Sequence, residues 1–274
     1  SALVECRLKQ KGGYYSELTL SVGNAPDGRL LHTSSDDMFF EYDGEYIDMA
    51  LDPKIKAVGF DMDGTFMHTK VDYVKLARVV YDEFESLGVP DEILQTDNYK
   101  LTMDGGIRWL MEHGKSEYVP GINERIGNRA TEIEMENADI AVPFPGAVEV
   151  LDLLKEKGYK VGILTRGGRE YATTVLSNAG VLKKFNALVA RDDYPEEEAK
   201  PNPLAMDHLA AALGVKSGEI LYLGDGIVDF MTADASGAQF IGVETGPNTA
   251  EMWRKKAGNG VRTIPSVAEL ADLI

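Results

Sequence analysis

The chain has 274 residues and a formal net charge of -17, from 28 basic and 45 acidic side chains. This excess of negative charge argues against nucleic acid as a partner, because nucleic-acid binding depends on neutralising phosphates with Lys and Arg. Hydrophobic residues make up 44% of the chain, as in ordinary globular proteins, and no apolar run approaches the ~20 residues that a membrane span needs.

Cysteine usage and the first residues bear on the compartment. Cys6 is the one cysteine of the chain, which excludes an internal disulfide and agrees with a reducing environment. A secretion signal has a basic segment followed by an apolar one, and the opening sequence SALVECRLKQ does not show this pattern. We therefore expect a cytoplasmic protein without a membrane partner, and its state as a monomer or homo-oligomer stays open.

Residues 1–53 have the alternating pattern of β-strands. Turn signals rich in glycine separate the successive runs, and the pattern predicts a small antiparallel meander of about four or five strands. So small a unit is marginal alone, and we expect a packing or oligomerisation role rather than a second active site. The alternating apolar residues are Val4, Cys6 and Leu8, then Leu18, Leu20 and Val22, and later Ile47, Met49 and Leu51.

The next stretch, residues 56–65 with the sequence KAVGFDMDGT, predicts a buried strand that ends in two acids. Asp61 and Asp63 are two residues apart, so extended backbone would project both carboxylates from one face. Gly64 allows a sharp turn directly after them. Asp and Gly are common at strand ends, but this combination favours a functional site.

Helical spacing dominates residues 70–141, and nothing in that segment indicates a strand. We predict a helical insertion between two parts of an α/β core, which comprises residues 54–69 and 142–274. The predicted helices of the insertion cover Val71 to Leu87, Asp91 to Gln95, Asp104 to His113 and Ile122 to Ala138.

After Pro145-Gly146 the chain alternates between helices and strands, which predicts a doubly wound parallel sheet with helices on both faces. Open sheets of this kind bind ligands beyond the carboxyl ends of their strands. Polar residues stand at or after such ends, or in loops. They are Thr165 after VGIL, Lys200 before Pro201, and Asp225 and Asp229 within GDGIVD.

Together these motifs and their order resemble the haloacid dehalogenase (HAD) superfamily of phosphoryl-transfer enzymes. The resemblance covers about Ile55 to Ile274 and leaves the first fifty or so residues unexplained. It implies a Rossmann-like core, and the helical insertion is similar to the cap of the phosphoglycolate-phosphatase-like branch.

This resemblance also implies roles for the acids. Asp61 is the expected nucleophile, which forms an aspartyl phosphate, and Asp63 is the expected general acid and base. Mg²⁺ is the expected cofactor, held by Asp61, the carbonyl of Asp63, and Asp225. Asp229 is placed outside the direct ligands, where it supports the metal's waters or the lysine.

The remaining predicted residues bind substrate. Thr165, Lys200, Gly64 and Thr65 are the expected phosphate-binding residues. Arg166 stands where phosphoglycolate-phosphatase-like enzymes usually have Asn, and we expect it to bind a carboxylate or second phosphate of the substrate. The alternative is that Arg166 pairs with an acidic side chain of the cap or the surface.

The sequence therefore predicts a Mg²⁺-dependent phosphatase that hydrolyses a small phosphorylated metabolite. Asp63 disfavours a dehalogenase or a phosphonate hydrolase. A phosphosugar mutase of the same superfamily is the main alternative, with a pyrophosphatase or a nucleotidase behind it. A regulatory binding protein on an inactive core is disfavoured because the motif residues are intact.

Overall fold

The chain divides into two compact units, Ser1–Leu51 and Asp52–Ile274, which we describe separately. In the described part of the chain, no helix has the length and apolar character that crossing a membrane requires. The computed structural model describes residues 4–11, 14–22, 41–42, 45–46, 51–94, 99–258 and 260–274.

The described residues of the first unit form two antiparallel strand pairs. Strand β1 (Val4–Lys11) pairs with β2 (Tyr14–Val22), and the register shifts between Lys9 and Gln10. Strand β3 (Glu41–Tyr42) pairs with β4 (Glu45–Tyr46). The small antiparallel unit that the alternating pattern predicts is confirmed. The further strand predicted at 47–51 falls largely on residues 47–50, outside the described residues.

The second unit is built on a parallel sheet. Within the described residues, six strands follow the order β12-β11-β10-β5-β8-β9, and every neighbouring pair is parallel. The short strands β6 and β7 form a separate antiparallel pair. The predicted α/β fold class is confirmed. The strands are β5 (Ala57–Phe60), β6 (Met67–His68), β7 (Val142–Pro143), β8 (Lys160–Leu164), β9 (Ala187–Val189), β10 (Ile220–Gly224), β11 (Gln239–Val243) and β12 (Arg262–Ile264).

Nine α-helices occur in the described residues of this unit, and the first four lie between β6 and β7 in the chain. The prediction for α2 extended to Gln95, which lies outside the described residues. The helices are α1 (Tyr73–Glu85), α2 (Asp91–Leu94), α3 (Tyr99–Glu112), α4 (Val119–Met135), α5 (Ala147–Glu156), α6 (Arg169–Asn178), α7 (Leu204–Leu213), α8 (Ile227–Ser236) and α9 (Ala250–Ala257).

Helix α1 shows why the helical segment, residues 70–141, folds around its own core. Asp72 caps the helix by accepting a hydrogen bond from the backbone N–H of Lys75. Val80 and Phe84 are four residues apart and fully buried in a cluster with side chains of α3 and α4. Gly106 on α3 makes room for Phe84, because a Cβ there would lie 2.6 Å from the ring.

Helices α3 and α4 differ most from the prediction in their bounds. Helix α4 starts at Val119, before the predicted Ile122, because Pro120 is tolerated in the first turn of a helix. It ends at Met135, and a separate 3₁₀ turn covers Ala138–Ile140. Helix α3 begins at Tyr99, five residues before the predicted start.

Strand β5 lies at the centre of the parallel sheet, between β8 and β10. All four of its residues are buried, as the apolar run predicts. Gly59 on β5 and Gly162 on β8 let α7 approach closely, since a Cβ at either position would lie within 3 Å of Leu209. Each fully buried side chain such as Leu209 contributes roughly 1.5–3 kcal/mol. The packing fixes β5, and with it the position of the residues that follow.

Candidate active site

Three neighbouring strands end at one edge of the sheet, and each is followed directly by a predicted site residue. Asp61 follows β5, Thr165 follows β8 and Asp225 follows β10. The backbone N–H of Asp61 still donates to the carbonyl of Leu223 at 2.8 Å, so the ladder holds this residue in place. Lys200 reaches the same edge from the loop before α7.

Lys200 is the buried cation of the site, with 2% exposure. Its Nζ donates to Asp61 Oδ1 at 2.7 Å, to Asp229 Oδ1 at 2.5 Å and to the Tyr222 hydroxyl at 3.0 Å. Tyr222 in turn donates to the carbonyl of Leu164 at 2.8 Å. Burial lowers the pKa of Lys200, but the two carboxylates raise it above its usual range overall. The ammonium is therefore permanently charged and held by three partners.

The carboxyl groups of Asp61, Asp225 and Asp229 form a cluster, with one oxygen of each within 4.8 Å of the others. Burial raises the pKa of Asp61 well above its usual range, against the opposing charge of Lys200. Burial and the charge of Asp229 raise the pKa of Asp225 to about 7. Counting Asp63 nearby, four acids surround one ammonium, which contacts Asp61 and Asp229. Oxygen ligands so short of positive charge fit a hard divalent cation, which would favour their ionised form.

Two glycines shape the surroundings of Asp225. Gly64 has φ +77°, and a Cβ on it would lie 2.4 Å from Asp225 Oδ2. A Cβ on Gly246 would lie 1.9 Å from the same oxygen. Thr65 Oγ1 donates to Asp225 Oδ1 at 3.3 Å, and Asn248 Nδ2 donates to the Asp225 carbonyl at 2.7 Å. Our sequence reasoning missed Gly246 and Asn248, which lie in the loop after β11.

Asp63 is directed away from the carboxylate cluster toward α6. The Tyr171 hydroxyl donates to Asp63 Oδ1 at 2.7 Å. Burial raises the pKa of Asp63, while hydrogen bonds from Tyr171 and Thr69 act against that rise. Tyr171 was also missed, because no local pattern connects it with an acid more than a hundred residues earlier.

A family model matches the part of the chain that carries these residues. The family model described as haloacid dehalogenase-like hydrolase covers residues 55–237. The chain belongs to the haloacid dehalogenase-like hydrolases. The predicted family and the prediction of an enzyme are confirmed at this level.

Relatives of this HAD-like hydrolase agree with the match. A phosphoglycolate phosphatase of Pasteurella multocida is 24% identical over 202 residues, which are 71% of this chain and 88% of that protein. A solved HAD-like hydrolase structure from Bacteroides fragilis has a TM-score of 0.57 at 23% identity, covering 79% of this chain and 99% of its own. A proposed β-phosphoglucomutase from Thermotoga maritima has a TM-score of 0.51 at 20% identity, covering 80% of this chain and 100% of its own. The structures share the fold with this hydrolase.

Arg166 of the HAD-like hydrolase is paired in the structure. Its guanidinium donates to Glu196 Oε1 at 2.9 Å, and the same oxygen accepts from Lys100 of α3 at 2.8 Å. These side chains are largely buried, with 11%, 13% and 5% exposure for Arg166, Glu196 and Lys100. Two cations, one from the helical segment and one from the loop after β8, therefore share one carboxylate. Arg166 thus pairs with an acid, but Glu196 is a largely buried residue of the loop before Lys200 and not an acid of the cap or the surface, as the alternative had it.

A second buried ion pair joins α4 of this hydrolase to the loop after Thr165. Arg191 donates to Glu134 Oε1 at 2.6 Å, to Thr131 Oγ1 at 2.9 Å and to the Arg166 carbonyl at 2.8 Å. The N–H of Gly168 donates to Glu134 Oε2 at 3.0 Å. Glu134 and Arg191 side chains are only 4% and 6% exposed. The pair fixes the backbone of residues 166–168 beside the predicted phosphate site.

Proposed function

We propose that this hydrolase is a Mg²⁺-dependent phosphatase that hydrolyses a small phosphomonoester through an aspartyl phosphate on Asp61. The observation that carries the proposal is the contact of Asp61 with Lys200 at 2.7 Å, beside the carboxylates of Asp225 and Asp229. A nucleophilic carboxylate, a fixed cation and an acidic cluster at the carboxyl edge of a parallel sheet suit phosphoryl transfer, in which positioning and charge stabilisation dominate.

Asp61, the Asp63 carbonyl and Asp225 would hold the metal. Bound Mg²⁺ would supply Lewis-acid stabilisation of the phosphate charge. Asp229 is occupied by Lys200 through Oδ1 and by the N–H of Gly226 through Oδ2, at 2.5 and 2.9 Å. It therefore serves better as a support for the lysine than as a direct ligand.

In the first step, an oxygen of Asp61 attacks phosphorus and the bond from phosphorus to the leaving oxygen breaks. Asp63 gives its proton to that oxygen, so the product leaves as an alcohol. In the second step, water attacks the phosphorus of the aspartyl phosphate and Asp63 takes the water's proton. The bond from phosphorus to Asp61 breaks, which releases phosphate and restores both acids.

The phosphate group would lie among Thr165, Lys200 and the backbone at Gly64 and Thr65. The oxygen of Thr165 already accepts from the N–H of Gly167 at 2.9 Å, so its own hydrogen can be donated to phosphate. Thr65 contacts Asp225 through its hydroxyl, and its contribution to phosphate binding would come from its backbone N–H.

The substrate we propose is a small metabolite of the phosphoglycolate type, in the cytoplasm. Relatives named phosphoglycolate phosphatase at 23–26% identity support this class. The helical segment, residues 70–141, would act as the cap that selects the substrate, and residues 1–53 would act in packing or oligomerisation. Arg166 could bind an anionic substrate group if the group displaced Glu196 from it.

A phosphate-release assay on a panel of esters, with and without Mg²⁺, tests the proposal. Asp61→Asn should abolish release while the protein stays folded, because the change removes the nucleophile with little change in volume. Asp152→Asn, at an exposed acid paired with Lys184, is the matched control and should keep full activity. Near-normal release by folded Asp61→Asn would refute covalent catalysis. Isomerised sugar phosphate without free phosphate would identify a mutase instead.

A further inference from the structure

Tyr171 is a buried residue of α6 whose hydroxyl reaches the acid we assign to proton transfer. The residue is 1% exposed, and its O–H donates to Asp63 Oδ1 at 2.7 Å. Gly167 leaves room for the ring, because a Cβ there would lie 2.9 Å from Tyr171 Cδ1. The ring is therefore packed against the loop after Thr165, and its hydroxyl has a fixed place next to Asp63.

The direction of this hydrogen bond does not change during a reaction cycle. A tyrosine hydroxyl is protonated at neutral pH, and here it donates to Asp63 Oδ1 at 2.7 Å. A phenol that stays protonated remains the donor, and Asp63 Oδ1 remains the acceptor. With Oδ1 accepting from Tyr171, we assign proton exchange with the substrate to the other oxygen, Oδ2. Thr69 is a second side chain that hydrogen-bonds this carboxyl group.

We propose that Tyr171 is a positioning residue that fixes the carboxyl group of Asp63 so that Oδ2 faces the leaving oxygen of the ester. This inference rests on the proposed function, because it needs Asp63 as the general acid. The proton passes from Asp63 Oδ2 to the leaving oxygen as the bond to phosphorus breaks, and Tyr171 keeps its own proton throughout.

A purely structural role for the hydroxyl predicts something different. If Tyr171 only stabilised the fold, its replacement would lower kcat/KM by the same factor for every substrate. If Tyr171 positions the acid, kcat/KM falls most for esters whose leaving group needs a proton. Phenyl phosphate and p-nitrophenyl phosphate have the same size around the phosphate, but nitrophenolate leaves readily without protonation. The ratio of their kcat/KM values therefore reports on proton donation.

The experiment measures both esters with wild type and Tyr171→Phe. We expect kcat/KM to fall about tenfold for phenyl phosphate and less than about twofold for p-nitrophenyl phosphate, as for a partial loss of general acid catalysis. Because both esters are measured on one preparation, the ratio does not depend on the folded fraction. Should Tyr171→Phe give no folded protein, Tyr171→Leu is measured in the same way.

Two control variants separate the outcomes. Tyr222→Phe removes another buried hydroxyl, which contacts Lys200. It should lower kcat/KM by the same factor for the two esters, because both present the same phosphate group. Asp63→Asn should show the strongest leaving-group dependence of all. An unchanged ratio in Asp63→Asn would overturn the proposed role of Asp63 itself. A changed ratio there with an unchanged ratio in the Tyr171 variant would overturn the positioning role alone.

Discussion

Replacing Arg191 with Met should destabilise the protein by about 3–5 kcal/mol, the cost of leaving one charge of a buried ion pair without its partner. The side chains of Glu134 and Arg191 are only 4% and 6% exposed, so solvent cannot replace the lost contact. Met keeps much of the volume of Arg, which limits the contribution of a cavity. Thr131 Oγ1 and the Arg166 carbonyl also lose their donor in this variant.

Urea unfolding at fixed metal concentration, followed by tryptophan fluorescence, measures this loss. Trp253 is fully buried and reports on unfolding of the core. Arg125→Met is the matched control, because Arg125 lies on α4, the helix of Glu134, and its pair with Glu83 is 54% and 23% exposed. Loss of such an exposed pair should leave the free energy of unfolding nearly unchanged.

A double-mutant cycle completes the test. The variant with both Arg191→Met and Glu134→Gln should lose less stability than the two single variants together, because no uncompensated charge remains. Strict additivity, or a loss below about 1 kcal/mol in Arg191→Met, would refute the reasoning that the pair is desolvated and coupled.

Three further predictions concern the Asp225 and Asp229 pair, Gly246 and Glu196. Asp225→Ala should weaken Mg²⁺ binding more than Asp229→Ala in calorimetric titration; the reverse order would make Asp229 the direct ligand. Gly246→Ala should weaken Mg²⁺ binding by displacing Asp225, whose Oδ2 would be 1.9 Å from the new Cβ, whereas Gly127→Ala, with open space around it, should not. Burial raises the pKa of Glu196, but Arg166 and other cations lower it below 4.5 overall, so its ionised form stabilises the fold above that pH. The difference in free energy of unfolding between wild type and Glu196→Gln should therefore shrink as the pH falls through the lowered pKa. Urea unfolding at several pH values measures this difference, and a constant value would contradict the prediction.

The residues at the strand ends could be predicted because local sequence determines them. Asp61 and Asp225 each follow an apolar run that forms a buried strand, and parallel strands bring such ends together. Helix α3 was predicted only from Asp104, so its first five residues were missed. Glycine weakens a helix, but packing against Phe84 favours it at Gly106.

Residues that act through tertiary contacts could not be found in this way. Tyr171 is one aromatic residue on an amphipathic helix, and its sequence neighbours give no sign that its hydroxyl meets Asp63. Glu134 and Arg191 look like ordinary surface charges in a chain that has many. Their burial depends on how α4 packs against α6 and the loop after β8, which no local pattern encodes.

The position of β5 between β8 and β10 has a consequence for synthesis on the ribosome. Its first partner residue, Lys160, is made about 100 residues after Ala57, and the next, Ile220, later still. At typical elongation rates this leaves an apolar strand without a neighbour for on the order of 5–20 s. The helices encoded in that interval have their own apolar cluster and can fold meanwhile. Nascent chains are therefore most exposed to aggregation, and to chaperone binding, before β8 emerges.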